Sequence, residues 1–180
     1  GRLGVAYAQQ RKFAEAEKYL RRYVELEPTS PHALVNLGNV LFELRRANEA
    51  AVLLQQALRY DPANAAAHTT LFQALLAAGK PKEGIQALRD ARAALPGVPV
   101  LPFRLTWLLA TSSRDDLRNP QEALQLARYL CEGRTPTADN LTVLAAAYAA
   151  SGDFDQAMAN ARNALSLAQA RSDTAAVRRI

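Results

Sequence analysis

The chain has 180 residues, of which 49% are hydrophobic and 22% charged, with a formal net charge of +5. Ala, Leu, Gln, Glu and Arg dominate and β-branched residues are few, which predicts helices and excludes a sheet-rich fold. No apolar run approaches the ~18 residues that cross a bilayer, and the opening residues lack the basic-then-apolar order of a signal peptide. Cys131 is the single cysteine; an internal disulfide is therefore excluded and a reducing, cytoplasmic compartment is favoured. The positive charge, carried mostly by Arg, fits an acidic partner or a solubilising surface equally well.

Residues 1–30 hold the end of one helix and all of the next, with Leu3-Gly4, Tyr7, Ala16, Leu20 and Pro28 as landmarks. The same landmarks return 34 residues later as Leu37-Gly38, Leu41, Ala50, Leu54 and Pro62, inside a unit spanning 31–64. Its first helix is expected over about 34–44 and its second over about 48–60, joined by the Arg45-Arg46-Ala47 turn. Gly38 and Ala50 are small so that the two helix axes can approach to the ~8–10 Å of close packing, and Pro62 stops the second helix.

Residues 65–98 repeat the frame with one exchange: Phe72 stands where Gly38 did, and Gly84 where Ala50 did. The pair reads as compensating, because a mid-helix Gly costs ~1 kcal/mol relative to Ala and the room it leaves suits a ring. Residues 99–137 keep Leu105 and Leu109 in frame, but the small residue of the second helix is Ala123, five places beyond the expected 118. The extra residues make a long polar turn, and Asn119-Pro120-Gln121-Glu122 reads as a helix start.

Residues 138–171 return to frame with Leu144-Ala145, Tyr148, Gly152 and Ala157. Gln169 replaces the terminating Pro, so the last helix is expected to run through Ala170, with residues 172–180 starting a capping helix. The whole chain, 1–180, is thus one array of helix hairpins, expected to hold nine full or partial helices. It is expected to continue upstream, with a frayed first helix.

In the identities at positions 7, 8, 11, 20, 24, 27 and 32 of a 34-residue unit, the chain resembles a tetratricopeptide repeat protein. Residues 105–170 also resemble a variant pair found at the C-terminal end of some bacterial arrays. The resemblance implies an all-α, right-handed superhelical solenoid of antiparallel hairpins that binds proteins and is not an enzyme. It further implies that the first helices line a concave groove for a peptide. Val35, Asn36, Asn39, Phe42, Gln73, Leu76, Phe103, Arg104 and Trp107 fall at groove positions.

Those residues do not match two known binding chemistries of such arrays. Only Asn39 and Arg104 fit the basic clamp that grips a carboxylate, and Asn36 is followed by Thr70 and Arg104 where an asparagine ladder needs Asn. Phe42, Leu76, Phe103 and Trp107 instead suggest an apolar strip for a hydrophobic or helical segment, although Trp107 could equally pack on the enlarged turn of its own unit.

Lys12, Arg46, Lys80 and Arg114 recur at a step of 34 along the turn edge, where a solvated surface is the simpler reading. His32 and His68 are the two histidines, and no Cys, His or carboxylate spacing suits a metal, a cofactor or a nucleophile. A nucleic-acid-binding repeat and an accessory domain of an enzyme are the competing readings. The 34-residue step and the non-basic groove speak against the first.

Overall fold

The computed structural model describes residues 1–98, 100–132 and 135–170. All regular structure in them is helical: α1 (Arg2–Gln9), α2 (Phe13–Leu26), α3 (Pro31–Glu43), α4 (Ala47–Tyr60), α5 (Ala65–Ala77), α6 (Pro81–Ala94), α7 (Val100–Thr111), α8 (Pro120–Cys131), α9 (Ala138–Ser151) and α10 (Phe154–Ala170). The expected nine helices are corrected to ten among the described residues, because both helices of all five units form. The eight-residue α1 is formed from Arg2 onward rather than frayed. Helix α10 reaches Ala170 as Gln169 predicts; the expected capping helix lies outside the described residues.

The described residues form two compact units, one of residues 1–96 and one that begins at Gly97. In the first unit, consecutive helices pack in pairs: α1 on α2, α3 on α4 and α5 on α6. In the second, α7 packs on α8 and α9 on α10.

Helix ends explain why the hairpins turn where they do. Each first helix with a described start outside α1 and α7 has a polar side chain accepting from its first turn: Ser30 Oγ from the Ala33 amide at 3.4 Å, Asn64 Oδ1 from the Ala67 amide at 3.0 Å, Thr137 Oγ1 from the Asn140 amide at 3.1 Å. These caps satisfy amides that have no carbonyl within the helix. Pro31 sits at the first helical position after Ser30, so α3 starts three residues before the expected 34.

Each first helix of the first unit closes with one residue in left-handed backbone: Arg11 (φ 59°), Arg45 (φ 63°) and Gly79 (φ 73°). The following amide then reaches back five residues, as from Arg46 to the Leu41 carbonyl at 2.9 Å and from Lys80 to Leu75 at 2.8 Å. Gly152 (φ 85°) closes α9 in the same way. This geometry costs an L-residue more than glycine.

The core of the first unit runs through Ala16, Leu20, Leu34, Leu41, Leu54 and Leu75, each at most 1% exposed. A Cβ placed on Gly38 would meet Leu54 Cγ at 2.9 Å and the Ala50 carbonyl oxygen at 3.5 Å. The close helix approach expected there is therefore present. Gly4 stands in the same relation to Leu20, one step of 34 earlier.

In the second unit, the long turn is anchored by Leu117, which is buried. The Asn119 amide donates to the Leu109 carbonyl at 3.1 Å, tying the turn back onto α7. Asn119 Oδ1 accepts from the Glu122 amide at 3.1 Å while its Nδ2 donates to the Glu122 carboxylate at 3.2 Å, so the expected helix start at Asn119 holds. Thr106, at the small-residue position of α7, is fully buried, and its hydroxyl donates to the Pro102 carbonyl at 2.7 Å.

Candidate functional site

Within the first unit, α1, α3 and α5 leave a groove with a cavity volume of about 380 Å³. Four of the residues expected to face a ligand line it: Asn36, Asn39, Phe42 and Gln73. The frame explains the convergence, since Val5, Asn39 and Gln73 follow one another at steps of 34 and occupy the same place on successive first helices. Val5 and Ala8 supply apolar wall from α1, and Phe42 is half-buried against the core beneath.

The groove is more polar than an apolar strip. Asn36, Asn39, Thr70 and Gln73 bring uncharged hydrogen-bonding groups, and Glu43 is the charged residue lining it. Asn39 Oδ1 is buried with no hydrogen-bond partner. An unpaired buried acceptor is costly, of order 1–3 kcal/mol, and a donor brought by a ligand relieves that cost.

The other expected groove residues are placed differently. Val35 is buried in the core cluster and does not line the cavity. Leu76 is 38% exposed and stands beside Gly84, outside the cavity lining. Phe103 and Arg104 on α7 are half-buried. Trp107, 41% exposed, lines a separate depression of about 320 Å³ in the second unit with Thr142 and Ala146 of α9 and Met158 of α10. Leu117, in the enlarged turn, is buried. Met158 was not legible as a wall residue, because the frame assigns second helices no groove position.

The basic edge is uneven. Arg46 is held between Glu17 on α2 and Glu49 on α4, with its Nε 2.6 Å from Glu49. The Glu49 and Glu17 carboxylates hold the Arg46 guanidinium above its ordinary range, and the bond from Arg46 pulls Glu49 below the ordinary carboxylate range. Arg114 pairs with Asp116 at 2.9 Å, and Lys12 lies 6.0 Å from the Tyr7 ring centre. Lys80 stands exposed before α6. A continuous row of unpaired cations is therefore absent.

No group of three His, Cys, Asp or Glu side chains suited to a metal occurs among the described residues. Burial raises the Cys131 thiol above its ordinary range, the opposite of what activates a nucleophile. No described helix is long and apolar enough to cross a membrane.

Tetratricopeptide repeat profiles match residues 2–54, 41–100 and 138–171. No curated protein sequence matches the chain. Among solved structures, a crystal structure of MamA is similar at a TM-score of 0.76 and 18% identity, covering 94% of this chain and 96% of that one. MamA residues 41 to the end from Desulfovibrio magneticus RS-1 gives 0.74 at 17% identity, covering 96% and 94%. YrrB, described as a TPR protein with an unusual peptide-binding site, gives 0.74 at 19% identity, covering 97% and 86%. At these identities the likeness establishes the fold, a helical-repeat solenoid.

Proposed function

The chain belongs to the tetratricopeptide repeat family, and from that premise we propose that it is a non-catalytic scaffold that holds a peptide segment of a partner protein in the groove of α1, α3 and α5. The carrying observation is the cavity that gathers Asn36, Asn39, Phe42 and Gln73. Its mixed lining suits a segment with one apolar side chain against Phe42 and Val5 and a backbone that bonds to the side-chain amides. The depression beside Trp107 supplies a further apolar seat in the second unit.

Two features support a peptide over a nucleic acid. The groove lining contains Glu43 and no Lys or Arg, whereas a phosphate backbone needs cations along its track. YrrB, similar in fold, is described as having an unusual peptide-binding site.

The test is selection of peptides from a random library on the immobilised protein, followed by titration against variants. Burying one large apolar side chain is worth ~1.5–3 kcal/mol, so Phe42→Ser should weaken the selected peptides at least ~10-fold. Gln73→Ala, which leaves the apolar packing in place, should weaken them by a smaller factor. Selected peptides that bind both variants like the parent protein would move the site elsewhere.

A further inference from the structure

The second helices of the first unit frame two grooves related by the 34-residue step. The first, between α2 and α4, has Val24, Leu37 and Glu49 in its lining; the second, between α4 and α6, has Leu58, Leu71 and Glu83 at the corresponding places. The two differ in how their charges are satisfied. In the first, Arg21 reaches Glu17 at 2.8 Å and Glu49 at 3.7 Å, and Arg46 also pairs with Glu49. In the second, Gln55 replaces Arg21 and Ala51 replaces Glu17.

Glu83 therefore lacks a counterpart of Arg21, and Lys80, at the place of Arg46, makes no ion pair with it among the described residues. Asp90, two turns further along the same face of α6, takes a 2.8 Å hydrogen bond from the neutral amide of Gln86. Neither carboxylate has an ion pair among the described residues, and Arg59 on α4 is the cation in the lining. His68, buried where the preceding unit has Leu34, places Nε2 2.9 Å from the Pro62 carbonyl. A carbonyl only accepts, so Nε2 carries the proton, and Nδ1 is left as a buried acceptor with no donor. The wall is short of cations and the floor is short of donors.

We propose that the groove between α4 and α6 is a second protein-binding surface, which receives an arginine side chain from a partner. That arginine takes the role that Arg21 fills from within the array in the preceding groove. Its aliphatic stem lies on Leu58, Leu71 and Ala87, and its guanidinium faces Glu83 and Asp90, whose carboxylates match its planar donors. The cavity, about 420 Å³, is the roomier of the two grooves. Arg59 on the opposite wall repels a second cation, so the residues flanking the arginine are neutral. This surface is independent of the groove of α1, α3 and α5.

The experiment is an NMR titration of the isotope-labelled chain with a capped tripeptide, arginine between two alanines, beside its citrulline analogue of the same shape without the charge. The expected result is saturable shifts at Glu83, Ala87 and Asp90 with the arginine peptide and none with citrulline. Exchanging Glu83→Gln together with Asp90→Asn should weaken the arginine peptide by about fivefold, and Arg59→Gln should leave it unchanged or tighter. An identical response to citrulline, an unaffected double variant, or loss of binding in Arg59→Gln would each overturn the proposal. The citrulline comparison uses the unmodified protein, so it stands even if a variant unfolds.

Discussion

Gly84 lies against the ring of Phe72: a Cβ built on the glycine would stand 3.5 Å from Phe72 Cδ2 and 3.6 Å from Leu76 Cδ2. Those are ordinary contact distances, so the crossing of α5 and α6 has room for one methyl and no more. Gly84→Ala is expected to fit and to gain up to ~1 kcal/mol of helix propensity. Gly84→Val pushes further carbons into the ring and is expected to cost ~1–3 kcal/mol. Thermal melting of the two variants checks both signs; equal melting temperatures would dissolve the link between Gly84 and Phe72.

Gly38 offers the contrasting case at the crossing one unit earlier. Its added Cβ would sit 2.9 Å from Leu54 Cγ, a branch point held in a fully buried side chain rather than a loose end. Gly38→Ala is expected to destabilise by ~1–3 kcal/mol, although the same exchange at Gly84 stabilises. Denaturant titration of the two alanine variants side by side measures the difference.

Arg45 occupies left-handed backbone at the place where Gly79 and Gly152 stand in other hairpins. Removing the Cβ relieves a cost of ~1 kcal/mol for an L-residue in that region. Arg45→Gly is expected to raise stability by somewhat less than that, since glycine also loosens the unfolded chain. The melting temperature of the variant reads the balance, and a decrease would contradict the strain argument.

The acid pulled down by Arg46 gives a pH signature. Glu49 titrates lower in the folded chain than in the unfolded one, chiefly through its hydrogen bond from Arg46. The unfolded chain then binds more protons between the two values, so this contribution is present above the unfolded value and is lost as pH falls through the folded one. Arg46→Gln should flatten the acid side of the stability profile without changing its neutral shape. Guanidinium-induced unfolding followed across pH 3–7 on the two proteins compares the slopes.

The helical frame was legible because most of the landmark residues return at the same places in successive units. Leu20, Leu54 and Leu88 are all fully buried, and their spacing alone predicts it. The enlarged turn was legible in length and in its Asn119 cap, but not in its anchor: Leu117 sits in a polar run, and nothing in that run signals its burial. Groove facing followed from the frame for Asn36, Asn39 and Gln73. It misled for Val35, which the core absorbs, because position in a repeat fixes direction and leaves the depth of the neighbouring helix open. The ring of Glu17, Arg46, Glu49 and Arg21 joins two helices from different hairpins, and its members are not separated by 34, so the repeat step does not pick them out.

In the proposed complex a partner peptide sits on the first helices beside Phe42. The most direct measurement follows the side-chain amide resonances of Asn36, Asn39 and Gln73 during titration with a library-selected peptide. All three are expected to shift together and to saturate with the same affinity as the global binding curve. Saturable binding that leaves those three amides unmoved would contradict it.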